Sequence, residues 1–292
     1  MVHRIPALSP RPSSATPAAL VATAVMARLR GAWTKPDFRP ATVPAVAARI
    51  VSISQSRAWD AESAASLLRI DPMFAAQVLR AASTHRPVRS LQQAVQVLGS
   101  AGMRRQLLEF AAGLRVLGDR ATCDAIASIH RAGWRRAEVV RSICRYTTID
   151  TEAAATGALL ADMGLVAGLI AGSDSPAGFT PPSLHELWNP VCEGHESIGW
   201  YLAESWGLAD DLALIIGNHH ELSVGGTLHP TLAALALSDA VLEDLGLDLR
   251  IDGVPAPNTV SPNRRLIALR ALGMTRKQYR LARQHARSRL MA

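Results

Sequence analysis

Apolar residues recur every three or four positions through most of this chain, and no segment sustains strict alternation. A side chain every 100° places such positions on one face of an α-helix, so the pattern predicts helices and no convincing strand. Residues 43–53 carry Val46, Ile50 and Ile53 at spacings of four and three. Asp60 can cap a helix over residues 61–68. Asp71-Pro72 joins a capping carboxylate to a proline at the first helical position, and Phe74, Val78 and Ala82 follow on one stripe. Ser90 with Gln93 forms a capping-box pattern, Leu91, Ala94, Val95 and Leu98 make the buried face, and Gly99 falls near that helix's end. Leu107, Phe110 and Leu114 continue the stripe over residues 103–117. Residues 17–31, opened by Thr16-Pro17 and closed by Gly31, read as a packing arm. Residues 261–271 and 275–291 predict two more helices joined at Gly273, the second capped by Thr275. Residues 84–89 and 173–182 are connections, the latter the best internal loop, and no fixed-period repeat is present. The expectation is an all-α, multi-helix bundle without significant β-sheet. It divides into an N-terminal Pro/Ala-rich arm (1–38), a helical domain (39–250) and a basic helical extension (251–292).

Composition narrows this picture. A hydrophobic fraction of 49% excludes a disordered chain, and 4% aromatics leave Ala, Leu, Val and Ile to fill the core. No uninterrupted apolar run approaches the ~18–20 residues of a membrane span; residues 18–26 come nearest and read as a short amphipathic helix. Three scattered cysteines, Cys123, Cys144 and Cys192, form no metal or disulfide pattern and suit a reducing cytoplasm. Nine basic and no acidic residues lie in 253–292, and six basic with one acidic in 1–40, which from a total of +7 leaves −7 for 41–252. Both ends are therefore basic around an acidic centre. The basic C-terminus admits three readings: contact with an anionic partner such as nucleic acid, neutralisation of the chain's own acidic centre, or a solvated face. Only two of the 31 basic residues are lysines, a habit that often reflects genome base composition.

Specific residues in order then carry a resemblance. Val43-Pro44-Ala45-Val46-Ala47 leads to Ile70-Asp71-Pro72 with Val78-Leu79-Arg80-Ala81-Ala82-Ser83, and then to Ser90-Leu91-Gln92-Gln93-Ala94-Val95 through Leu98-Gly99. Gly157-Ala158-Leu159-Leu160-Ala161-Asp162-Met163-Gly164 follows, with His195-Glu196-Ser197-Ile198-Gly199, Trp206-Gly207-Leu208, His219-His220-Glu221 and Leu237-Ser238-Asp239-Ala240. Over residues 40–245 these resemble the motifs of the HDOD family, the HD-related output domain of bacterial signalling proteins, including its "DP…LLRLANS", "SLEEAIVLLG", "GLLHDIG" and "HxxxG" segments. The resemblance implies an HD-like helical bundle with a regulatory or scaffold role in bacterial signal transduction, exercised through a protein partner. No receiver, cyclase or sensor part is recognisable, so the chain reads as a stand-alone output module.

The wider HD superfamily hydrolyses phosphate esters with a divalent metal held by an early His, a His-Asp pair and a late Asp. Here the His of the pair is Ala161. Ungapped counting puts Ala132 at the early His position, and anchoring on Trp134 puts Arg136 there; neither is a usual ligand. His130 lies two residues out of register, about 200° around a helix. The resemblance to HD-GYP phosphodiesterases implies a second metal position at Asp162, His195, His219 and His220, all present, with Asp239 in support. One carboxylate and three imidazoles suit Zn, Fe or Mn. The same groups can also hydrogen-bond one another in a polar seam, and on an ideal helix His219 and His220 point about 100° apart. No Gly-Tyr-Pro follows Glu221. The phosphate-binding loop, the dinucleotide fingerprint and the nucleophile elbow are also missing. The expectation is a non-catalytic regulatory protein without a cofactor. The alternatives are a metal-dependent phosphohydrolase with one residual divalent transition metal, and nucleic-acid binding through the basic C-terminal helices.

Overall fold

The computed structural model describes residues 17–35, 40–55, 67–69, 71–84, 87–174, 180–254 and 260–291. The helix expected at 61–68, with its cap Asp60, falls mostly outside the described residues. Twelve α-helices account for most of the rest, in this order: α1 (Pro17–Arg28), α2 (Pro44–Gln55), α3 (Pro72–Ala82), α4 (Leu91–Ala112), α5 (Arg120–Cys144), α6 (Thr151–Leu160), α7 (Met163–Ser173), α8 (Leu184–Ser205), α9 (Asp210–Gly217), α10 (Pro230–Asp244), α11 (Pro262–Ala271) and α12 (Arg276–Leu290). The all-α expectation holds. One short hairpin, β1 (Ser223–Val224) with β2 (Thr227–Leu228), escaped the sequence reading, because two residues per strand are too few to alternate. Gly225 and Gly226 supply the positive φ values, 58° and 81°, that its tight turn requires.

The predicted caps do their work. Asp71 Oδ1 accepts from the Met73 and Phe74 amides at 2.8 and 3.0 Å, while Oδ2 accepts from the Thr42 hydroxyl at 3.0 Å. Ser90 Oγ accepts from the Gln93 amide at 3.2 Å, but Gln93 Oε1 accepts from the Arg89 amide and not from Ser90, so the expected capping box is half formed; complete boxes stand at Thr275 with Gln278 and, unanticipated, at Ser183 with Glu186. In α4 the backbone leaves helical geometry at Gly99, with φ 60° and ψ −177°, so the predicted stop is a kink between two helical halves. The second half ends at Ala112, earlier than the pattern over 103–117 predicts. Beyond Gly113 the chain turns extended and Val116 pairs with Thr42 in a parallel bridge, which diverts residues 114–117 from helical bonding.

The main core is built around α6 and α7, packed on α5 and α8. The stretch Thr151–Ser173 is apolar and long enough to cross a bilayer by length and composition, although Glu152 and Asp162 interrupt it, so it holds no uninterrupted apolar run of that length. It is 94% buried in the core and folded as two helices. The N-terminal arm buries Val25, Leu29 and Trp33, and Arg28 Nη1 donates to the Ala171 and Gly172 carbonyls at the end of α7. A second apolar cluster joins α11 and α12 to one side of α5 and to α10 through Val139, Ile143, Leu237, Tyr279, Ala282 and Ala286. Helix α5 is thus a wall shared by both clusters.

Candidate functional site

Two glycines bring the polar centre together. Asp162 occupies the turn between α6 and α7, and its side chain makes no capping bond to α7. A Cβ on Gly133 of α5 would stand 2.9 Å from the Leu159 carbonyl oxygen, and one on Gly164 of α7 would stand 1.9 Å from that of His195. Only hydrogens at these positions let α5 and α8 close on the Asp162 turn. Arg136 lies one turn beyond Gly133, so it and His195 reach the same carboxylate from opposite sides.

The Arg136 guanidinium is the largest surprise of the site. Its Nη1 donates to Asp162 Oδ2 at 2.6 Å and its Nε to Asp239 Oδ1 at 2.8 Å. Its side chain is 8% exposed. Burial opposes the charge of Arg136, but Asp162 and Asp239 outweigh burial and push its pKa up. Burial likewise opposes ionisation of Asp162, and the Arg136 charge followed by His219 holds its carboxyl well below the usual range. Anchoring on Trp134 puts Arg136 at the early His position, where the sequence alone reads it only as a non-ligand. Its bridging role escaped notice because a buried arginine between two distant acids leaves no local motif. Asp239, expected beside the histidines, bonds to Arg136 instead. His130 lines a cavity of about 490 Å³ between α2 and α5, with Val46, Arg131 and Trp134 among its walls.

Asp162 Oδ1 faces the histidines. Helix α9 ends at Gly217, where Asn218 Nδ2 donates to the Leu214 carbonyl, so His219 and His220 sit in a turn and the 100° divergence of an ideal helix does not apply. Their Nε2 atoms converge with that of His195: His195 to His219 is 3.1 Å and His195 to His220 is 3.2 Å. Asp162 Oδ1 lies 3.3 Å from His219 Nε2 and 3.9 Å from His195 Nε2. The structure therefore brings together four of the five predicted residues.

The hydrogen bonds on the far side of the rings decide what this cluster can do. His195 Nδ1 lies 2.5 Å from the Cys192 carbonyl, and His219 Nδ1 lies 2.9 Å from that of Ile216. A carbonyl only accepts, so each Nδ1 carries the proton and a neutral ring presents a bare Nε2 to the centre. Bare nitrogens and a carboxylate oxygen in mutual contact need a positive charge among them. A proton on His219 supplies one solution: burial disfavours it, but the hydrogen bond and charge of Asp162 prevail and raise that pKa. Burial and then charged His219 push His195 down, and they take His220 to about 3. A divalent metal supplies the other solution. Imidazoles fixed through Nδ1–H to carbonyls are the usual arrangement of metal-ligating histidines. The donor set of His195, His219 and His220, whose ligand atoms lie within 4.8 Å of one another, with Asp162 beside them, fits Zn, Fe or Mn. Glu196 Oε1 accepts from the His220 backbone amide at 2.9 Å and steadies the turn.

Fold and site together define a helical domain with a His–Asp centre at the junction of its helices. The family model for the HDOD domain matches residues 41–222, and the chain belongs to that family. Its structure is similar to that of the MmoQ response regulator from Methylococcus capsulatus str. Bath, at 22% identity and a TM-score of 0.57 over 84% of this chain and 98% of that one. A fragment of the same regulator gives 21% and 0.56 over 82% and 92%. An HDOD domain protein from Geobacter sulfurreducens is similar at 19% identity and 0.42 over 93% and 95%. None of the curated proteins matches the chain.

Proposed function

We propose that this HDOD chain is a regulatory protein of bacterial signal transduction that acts through contacts with a protein partner and does not perform two-metal phosphodiester hydrolysis. The observation that carries this reading is the Arg136 guanidinium between Asp162 and Asp239. A guanidinium neutralises carboxylates as a cation does, but it has no coordination site for water and keeps its protons. Asp162, the acid of the His-Asp pair, and Asp239 are therefore both engaged by a side chain, and Ala161 removes the neighbouring imidazole. What remains is a stable, internally neutralised centre suited to fixing the relative position of α5, α7 and α10.

A second reading, a phosphohydrolase with one metal, draws support from the convergence of three Nε2 atoms, two of them, on His195 and His219, with their Nδ1 protons committed to backbone carbonyls. His195, His219, His220 and Asp162 would hold the ion, which when bound would activate a water and polarise a phosphoryl oxygen. In that reading Arg136 positions Asp162, and Glu196 holds the His220 turn.

Metal content of protein purified without chelator, with turnover of a generic phosphodiester in added Mn, separates the two. The regulatory reading expects no turnover, whether or not metal is present. Turnover that is lost in His219→Ala and in chelator would overturn it.

A further inference from the structure

Helix α12 carries more positive charge than the chain's acidic centre uses. Its apolar face is spent internally: Tyr279, Ala282 and Ala286 are buried in the cluster with α5 and α10. Neutralisation also has named partners. Arg289 Nη2 meets Glu138 at 2.8 Å, and Arg283 and Arg265 both meet Asp244, at 3.3 and 3.1 Å. That leaves Arg276, Lys277, Arg280 and Arg287, all exposed and without a hydrogen bond or ion pair among the described residues. At 100° per residue the three arginines fall within about 40° of one another, with Lys277 about 100° from Arg276. They form one cationic flank about 16 Å long at 1.5 Å per residue. Like charges a turn apart destabilise a helix, so this arrangement works against folding.

We infer that this flank of α12 docks along the phosphate backbone of double-stranded nucleic acid without reading its sequence. A duplex presents a charge every ~1.7 Å of axis, so a 16 Å stretch offers roughly ten phosphates to a linear row of guanidinium forks. Two other anionic partners fit less well. A membrane-surface helix needs its apolar face free to enter the lipid, and here that face is sealed against α5 and α10. A protein partner needs a cluster of apolar or aromatic anchors, whereas Leu281 is the one large apolar side chain exposed on α12, Gln284 lies among the cations and the one tyrosine of the helix is buried. With no exposed aromatic on α12, base stacking has no platform, which makes the contact sequence-independent.

The test is fluorescence anisotropy of the full chain with a labelled 24-bp duplex of arbitrary sequence at 50 and 200 mM KCl. Four phosphate contacts predict a log–log salt slope near −3.6, roughly a hundredfold loss of affinity across that range. The combined variant R276Q/K277Q/R280Q/R287Q alters only exposed side chains, and its helical CD spectrum reports whether it is folded. It should bind at least tenfold more weakly at 50 mM, with a flatter slope. A second duplex of unrelated sequence should bind alike. No duplex binding at 50 mM, unchanged binding by the folded variant, or capture by phosphatidylserine vesicles or poly-glutamate in place of the duplex would each overturn the inference.

Discussion

Arg136→Met is the sharpest test of how the centre is held. Methionine keeps most of the aliphatic volume and removes the cation, leaving Asp162, at 5% exposure, without its shortest partner. Removing one member of a buried pair strands the other, and such losses run to about 3–5 kcal/mol. Asp239 is more open, with a side chain 25% exposed, and water can take over part of its loss, so the cost falls mainly on Asp162. The pH dependence identifies the cause. In the native chain Asp162 is held below its unfolded value, so its contribution is complete above about pH 4 and is lost as pH falls through the folded-state pKa. In the variant the Arg136 charge no longer offsets burial and only the histidines oppose it, so acid relieves part of the penalty. Urea unfolding followed by far-UV CD should show a deficit of about 3–5 kcal/mol at pH 7.5 that shrinks by pH 5. Asp162→Asn in the Arg136→Met background should recover part of it, because the stranded charge is then gone. A deficit below about 1 kcal/mol at pH 7.5, or one independent of pH, would show that the bridge is not what holds α5, α7 and α10 together.

Further measurements test the rest. Gly164→Ala drives a methyl group into the His195 carbonyl, so α7 and α8 must separate; the expected loss is about 3 kcal/mol or more by denaturant titration, and an unchanged Tm would contradict the close approach. His220 is held at about 3, below its ordinary value, so its stabilising contribution is present above about pH 6.5 and fades as pH falls towards 3. His195 acts in the same direction, and His219, raised, acts in the opposite one. Chelator-treated protein should therefore lose Tm between pH 6.5 and 4, by at most about 1.4 kcal/mol per pH unit from His220, and His220→Asn should flatten the curve. Asp71→Ala removes the cap of α3 and strands the Thr42 hydroxyl, with an expected cost of about 1–2 kcal/mol by urea titration.

The helical framework was legible where local chemistry decides it. Asp71-Pro72, Ser90 and Thr275 announce helix starts through bonds made within four residues, and the structure contains those bonds, although Gln93 reaches back to the Arg89 amide and not to that of Ser90. The β1–β2 hairpin and the Thr42–Val116 bridge were not legible, because pairing of so few residues leaves no periodic trace. At the site, residue order brought forward Asp162, His195, His219 and His220. The convergence of the last two depends on where α9 stops, and the sequence signals near that point are Gly217, Asn218, which bonds back to Leu214, and the following Gly225-Gly226. Arg136 was visible as a residue out of place but not as a bridge, since its partners lie 26 and 103 positions away. Likewise, the basic extension could be counted but not apportioned: only packing shows that Arg265, Arg283 and Arg289 are engaged while the α12 flank is not.

The position of Asp162 also bears on the chain before it folds. Thr151–Ser173 emerges during synthesis as the most bilayer-like stretch of the described residues, and it is sheltered only after α5 and α8 have closed over it. An aspartate near the middle of such a stretch adds about 2.5–3.5 kcal/mol to the cost of transfer into a bilayer by the insertion machinery. In the folded chain the same carboxylate is welcomed by Arg136 and His219. One residue therefore sets two competing fates apart, biasing the nascent segment against lipid and towards its own neighbours.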